Sequence, residues 1–247
     1  MNEDVLWRSE MACRAAWPAE TDFCFAGWSA RRSGGNIRRV NSLNPLPGFT
    51  GLDDAAIDRT EAFYRGFGQP ALVRLMSFAG AASEDRLARR GYGREGATTT
   101  LCADLGNPVA VAGSRARLWE HPGPAWLAAR NRIAVSDPAI FAKMLQMIQP
   151  PKRFAGVRVD GEIRSLAYGV IVDRMLVVES VATDEVYRGR GLARQAVGSL
   201  LHWAAAQAAD RAVLQVVTDN APARALYRSL GFGRELFDYF YMRQPQS

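Results

Sequence analysis

Arg188-Gly189-Arg190-Gly191-Leu192-Ala193 lies between a β-branched apolar run and a long amphipathic stretch, a setting in which a short chain segment can hold a phosphate. Met175 to Thr183 reads as a buried strand, and Gly191 to Ala209 carries apolar residues at helical spacing. Glycines at a strand-to-helix junction let the backbone turn sharply and bring successive N–H groups toward an anion. The helix start adds partial positive charge. On these grounds the loop is a pyrophosphate cradle. Surface turns use the same residues, so the elements around the loop must decide.

Those elements form an ordered series. A second strand, Ala212 to Thr218, is followed by Asp219-Asn220, a helix from Ala223 to Leu230 that stops at Gly231-Phe232, and a terminal aromatic strand. Upstream, strands near Ser114–Glu120, Phe154–Val159 and Leu166–Val172 precede the strand of Glu179, with Asp160-Gly161 as a hairpin turn. His121-Pro122-Gly123-Pro124 turns into a helix near Trp126. Strands and helices mixed in this order predict an α/β fold, an α+β arrangement on a mixed sheet.

Composition narrows the class. A chain of 247 residues, 48% hydrophobic, can bury one large core or two modest ones. No apolar run approaches the ~20 residues needed to cross a bilayer. The acidic start Met1 to Trp7 lacks the charged and apolar regions of a signal peptide, so a cytoplasmic protein without membrane partners is expected. Cys13, Cys24 and Cys102 are odd in number and have no metal-ligand spacing; with His121 and His202 apart from any cluster, no metal is expected. The net charge of +6 comes from arginines spread along the chain, which argues against nucleic acid and leaves room for an acidic ligand.

The first half carries a fainter copy of the second. Arg86-Leu87-Ala88-Arg89-Arg90-Gly91-Tyr92-Gly93-Arg94-Glu95 aligns with Leu226-Tyr227-Arg228-Ser229-Leu230-Gly231-Phe232-Gly233-Arg234-Glu235. A helix from Ala55 to Phe67 and an apolar segment from Ala71 to Phe78 occupy the places of the Gly191 helix and the Ala212 strand. Two repeats of one fold are expected, residues 1–112 and 113–247, joined across Asn107 to Gly113. The first copy has no Gly-rich loop before Ala55, and Leu87 stands at the place of Tyr227. Chance recurrence of a common helix–Gly–aromatic stop is the alternative.

Taken together, the second-half series resembles the GNAT acyltransferase superfamily, the Gcn5-related N-acetyltransferases. Its Q/R-x-x-G-x-G/A loop is matched by Arg188, Gly191 and Ala193, with Gly189, Arg190 and Leu192 between them. The resemblance implies that this loop holds the pyrophosphate of acetyl-CoA. It also implies that Val181, Ala182 and Thr183 splay from the next strand to pair with the pantetheine arm, and that Asn220 lies near that arm. Asn220 before Ala-Pro-Ala-Arg also reads as a helix N-cap, and one residue can do both. Tandem members of the superfamily often keep one working site and one degenerate half.

The implied reaction moves an acetyl group to a primary amine on a small molecule or peptide, by direct attack in a ternary complex. Tyr227 stands where family members place a tyrosine that protonates the leaving thiolate; packing into the core is the other reading. Glu179 shares a strand face with Met175, Val177, Val181 and Thr183 by simple alternation. There it is either a base for the amine or the partner of an arginine such as Arg164 or Arg174. Arg31 to Pro45, rich in Arg and Asn, either lines an acceptor pocket through Arg39, Asn41 and Asn44 or serves its own turns. A CoA-binding regulatory module without turnover is the second functional reading, and a basic nucleic-acid or ribosome-associated factor the third. The sequence fixes neither the acceptor nor the oligomeric state.

Overall fold

The computed structural model describes residues 2–106, 108–109, 111, 113–134 and 136–245. In chain order the elements are α1 (Glu3–Ala15), β1 (Thr21–Phe25), β2 (Trp28–Arg32), β3 (Leu43–Pro45), α2 (Asp54–Arg65), β4 (Leu72–Met76), α3 (Ala81–Arg89), β5 (Gly93–Asp104), β6 (Ala116–Trp119), α4 (Pro124–Ile133), α5 (Pro138–Met147), β7 (Lys152–Val159), β8 (Glu162–Val172), β9 (Met175–Thr183), α6 (Leu192–Ala206), β10 (Arg211–Val217), α7 (Ala221–Arg228) and β11 (Arg234–Arg243). The expected join at 107–113 includes Asn107, Ala110 and Ala112, which lie outside the described residues. Among the described residues, no helix is long and apolar enough to cross a membrane.

Alternating apolar residues commit the strands to one mixed sheet of order β1-β2-β3-β4-β11-β5-β10-β9-β8-β7-β6. Helices α1, α4 and α5 bury Leu6, Trp7, Trp126, Phe141 and Met144 in one cluster with Tyr168, Met175 and Val177 of the sheet. Helix α6 buries Ala196, Val197, Leu200 and Leu201 in another, with Leu176 and Val178. Burial of each of the large aliphatic or Phe side chains among them stabilises the fold by about 1.5–3 kcal/mol before ordering costs. This clamps β8 and β9 from both faces, so the residues at their ends have a rigid base.

The strand of each half nearest its C-terminus lies beside the other half. β5 pairs antiparallel with β10, and β11 pairs antiparallel with β4. Their registers are related by a constant shift: Met76 pairs with Tyr239, and adding 140 to the first and subtracting 140 from the second gives Val216 and Thr99, which also pair. The same shift carries Arg74–Tyr241 into Leu214–Leu101 and Leu72–Arg243 into Ala212–Ala103. A cut between residues 112 and 113 therefore separates β5 and β11 from the strands flanking them.

Helix α1 is absent from the apolar pattern for a physical reason. Its buried face mixes Leu6, Trp7, Ala12 and Cys13 with Ser9 and Glu10. Ser9 donates to the Val5 carbonyl at 2.8 Å, and Glu10 accepts from both ends of the buried Arg74 guanidinium. The helix is thus held partly by a bidentate ion pair that periodicity of apolar residues does not register.

Candidate active site

β9 and β10 run together only from Met175–Arg211 to Val177–Val213, and then part. The bend originates at Ser180, whose φ of 52° lies in the left-handed region. Pairing with β8 slips there, from Tyr168–Glu179 to Leu166–Ala182, which is the signature of a bulge. Ala182 and Thr183 stay paired to Leu166 and Ser165, while their other edge has lost β10. That edge offers backbone donors and acceptors to a ligand lying between the strands.

The bulge corrects the face assigned by alternation. Met175 and Val177 belong to the cluster with Tyr168, but Val181 packs into the opposite cluster and Ala182 takes the Tyr168 side. Val181 and Glu179 therefore face opposite sides of the sheet.

Gly189 and Gly191 adopt φ of 74° and 72°, which side chains disfavour, and an added Cβ at either would meet open space. Gly191 opens α6 with no side-chain cap. The N–H groups of Gly189, Arg190, Gly191, Leu192 and Ala193 reach no acceptor among the described residues. A 15-residue helix with an open start, preceded by two left-handed glycines, has the geometry to accept an anion.

The loop and the splayed strand share one cleft of about 620 Å³. Val181, Ala182, Thr183, Arg188, Gly189, Gly191, Leu192, Ala193, Asn220 and Tyr227 line it, all of them sequence-predicted. Arg190 and Glu179 do not: Arg190 stacks over Tyr187 at 4.9 Å, and Glu179 is buried at 6% exposure. The sequence reading missed Ile133, Tyr187, Arg194, Pro222, Ala223 and Leu226, which also line the cleft. Tyr187 directly precedes the loop and could have been included; Ile133 arrives from α4 with no local signal.

Asn220 caps α7, its Oδ1 accepting from Ala223 N–H at 3.1 Å, and lines the cleft as well. Tyr227 packs edge-on to Phe232 at 6.1 Å, and its hydroxyl has no hydrogen-bond partner among the described residues. Burial, then the Glu179 charge, raises its pKa well above the ordinary phenol value. Both the core and the cleft readings of this residue describe it: the ring is packed, and the residue borders the cleft.

Glu179 is ion-paired with Arg39, which comes from the first half of the chain. The expected partners are otherwise engaged, Arg164 with Asp184 at 3.0 Å and Arg174 with Asp210 at 3.2 Å, so those two assignments are corrected. Burial opposes the Arg39 charge most strongly, but the Glu179 carboxylate, joined by Tyr239, Tyr241 and Cys13, more than offsets it and holds Arg39 well above its ordinary pKa. The Arg39 guanidinium also lies 5.4 Å from the Trp17 ring. In the same element, Asn41 accepts from the N–H groups of Ser33 and Gly34 and donates to the Gly34 and Ile37 carbonyls. Asn44 donates to the Ser42 carbonyl at 2.7 Å. Asn41 and Asn44 thus build the turns, and those turns deliver Arg39.

No cysteine lines this cleft. Cys13 is buried, and burial followed by the charges of Glu10 and Glu179 pushes its thiol up, away from the reactive thiolate.

The splayed mixed sheet, the Gly-rich helix start and the tyrosine on the facing helix define a GNAT-type acyltransferase. The chain belongs to the family described as "Probable histone acetyltransferase Rv0428c C-terminal", which matches residues 6–238. It is similar to "Uncharacterized N-acetyltransferase YobR" of Bacillus subtilis, 23% identical over 239 residues that span 93% of this chain and 95% of that protein. Among solved structures, a GCN5-related N-acetyltransferase from Kribbella flavida superposes with a TM-score of 0.70 at 16% identity, covering 97% of this chain and 96% of that one. A tandem GNAT protein from the clavulanic acid biosynthesis pathway has a TM-score of 0.62 at 13% identity, covering 83% of this chain and 76% of that one.

Proposed function

We propose that the protein is a cytoplasmic, acetyl-CoA-dependent N-acetyltransferase that acetylates a primary amine by direct attack in a ternary complex. The observation that carries this reading is the coincidence, in one cleft, of the uncapped α6 start, the free edge of Val181–Thr183 and Tyr227. The loop N–H groups would hold the pyrophosphate, with Arg188 beside them, and the free strand edge would fix the pantetheine and polarise the acyl carbonyl. Asn220 would border the same arm.

Tyr227 would donate to the departing sulfur. An alkyl thiol near ~8.5 and a phenol near ~10 differ by about 2 kcal/mol against complete transfer, and burial widens that gap. The hydroxyl therefore stabilises the developing thiolate chiefly as a hydrogen-bond donor. Glu179, out of the cleft and committed to Arg39, acts here as a positioning residue that steadies β9 beside the Ser180 bulge. Without a carboxylate base in the cleft, an amine of low pKa is the favoured acceptor: an α-amine near ~8 has a far larger neutral fraction at pH 7 than a lysine near ~10.4. The two halves are read as tandem repeats, 1–112 and 113–247, that exchange β5 and β11, with catalysis in the second. The shared 140-residue shift supports this.

The test is thermal denaturation with excess acetyl-CoA, together with an amine screen that detects released CoA thiol. At ~100 times its dissociation constant the ligand adds about 2.7 kcal/mol, roughly 5–11 °C for a chain of this size. The rise should vanish in Gly191→Trp. Tyr227→Phe should keep the rise and turn over about 10²-fold more slowly. A rise in every variant, or none in the wild type, would count against the cleft, and retention of the rise with no turnover on any amine would favour the regulatory module.

A further inference from the structure

The first half contains a cleft in the place of the acyl-CoA cleft. Adding 140 to Gly51, Leu52, Asp53, Ala82, Ser83 and Arg86 gives Gly191, Leu192, Ala193, Pro222, Ala223 and Leu226, and each set lines one cleft. The first-half cleft measures about 220 Å³ against about 620 Å³.

The two clefts differ in which helix start is open. In the second half Asn220 caps α7 and no side chain caps α6. In the first half Asp53, at the place of Ala193, caps α2 by accepting from Ala56 N–H at 2.8 Å. Gly80, at the place of Asn220, leaves α3 without a side-chain cap. The open start has moved from the helix after the loop to the helix facing it. The Ala82 N–H finds no acceptor among the described residues. Ser83, 2% exposed, lines this cleft, and its buried hydroxyl has no hydrogen-bond partner among the described residues. A buried hydroxyl is costly to leave unmet, so it is an independent pointer to a ligand. Arg86 lies on the rim, 3.1 Å from Asp54.

We propose that the cleft between α2 and α3 is a second binding site, distinct from acyl transfer, for a small zwitterion of the α-amino acid type. Its carboxylate would sit on the α3 start, against Ala82 N–H, the Ser83 hydroxyl and the Arg86 guanidinium. Its ammonium would face Asp53 across the cleft. The volume is too small for a CoA nucleotide, and the Asp53 carboxylate repels a polyanion from the α2 start.

The test is amide chemical-shift titration of the full-length protein with glycine, acetate and inorganic phosphate. Glycine should give saturable shifts at Ala82 and Ser83, with acetate at least several-fold weaker and phosphate weaker still. Ser83→Ala, which removes the orphan hydroxyl without a change of shape, should weaken glycine at least tenfold. Ala82→Asp, which places a carboxylate on the helix start, should abolish it. Acetyl-CoA shifts at Gly191 and Leu192, followed in the same samples, report the other cleft separately. Absence of saturable glycine shifts, equal response to phosphate, or undiminished binding in Ala82→Asp would overturn the proposal.

Discussion

Arg39→Ala should destabilise the protein more than a surface arginine substitution would. The perturbation leaves the Glu179 carboxylate, 6% exposed, among Met175, Val177 and Tyr168 with its guanidinium gone. Removing one partner of a buried pair costs about 3–5 kcal/mol, chiefly because a charge stays buried without compensation. At roughly 2–4 °C per kcal/mol for a chain of this length, the melting temperature should fall by about 6–20 °C. Urea unfolding at pH 7 measures the free energy, and Arg39→Met/Glu179→Met is the control. Replacing both charges by apolar groups of similar length should return most of the loss, because neither charge is then stranded. A loss under ~1 kcal/mol in Arg39→Ala would refute the reasoning. So would a double variant as unstable as the single one, which would place the effect in lost packing on Trp17.

Tyr227→Phe should lower kcat about 10²-fold with acetyl-CoA affinity unchanged. Since burial and the Glu179 charge keep the phenol protonated, Tyr227 should contribute no alkaline loss of activity below pH ~10; a limb below that pH that disappears in the Phe variant would contradict its assignment. Asn220→Ala removes the α7 cap and should cost about 1 kcal/mol, read as a shift of roughly 2–4 °C in melting temperature; an unchanged melting temperature would mean that the cap does not matter to the fold. Asp184 is held below the usual carboxylate range by hydrogen bonds from Arg132 and then Arg164, against the opposing pull of desolvation. A depressed folded-state pKa stabilises the fold above the unfolded value of ~3.9, and that stabilisation is lost as the pH falls through the folded value. Asp184→Asn should therefore flatten the stability profile below pH ~4, and parallel profiles for the two proteins would exclude the effect.

The chemistry-bearing segment was legible because its signals are local. Met175 to Thr183 is a strand over that whole span, and the glycines of the loop adopt the left-handed conformation that glycine tolerates best. Asn220 caps its helix, as its type and place imply. The helix read from Gly191 to Ala209 ends sooner, at Ala206, because Ala208 turns to a φ of 58°. The 140-residue spacing between the helix–Gly–aromatic segments also relates the strand registers.

Tertiary structure decided what depends on segments meeting. The partner of Glu179 is Arg39, brought from the other half of the chain by turns that Asn41 builds, and no spacing rule selects it over Arg164 or Arg174. Ile133 reaches the cleft from α4. The Ser180 bulge reverses the face of Val181, because one left-handed residue shifts every later side chain by a step. Backbone preference and apolar period are written within a few neighbouring residues, and for that reason the loop, its strand and its helix are readable from the chain alone. Which buried charge meets which, and which strand lies beside which, is set by closing the whole sheet, beyond the reach of any local pattern.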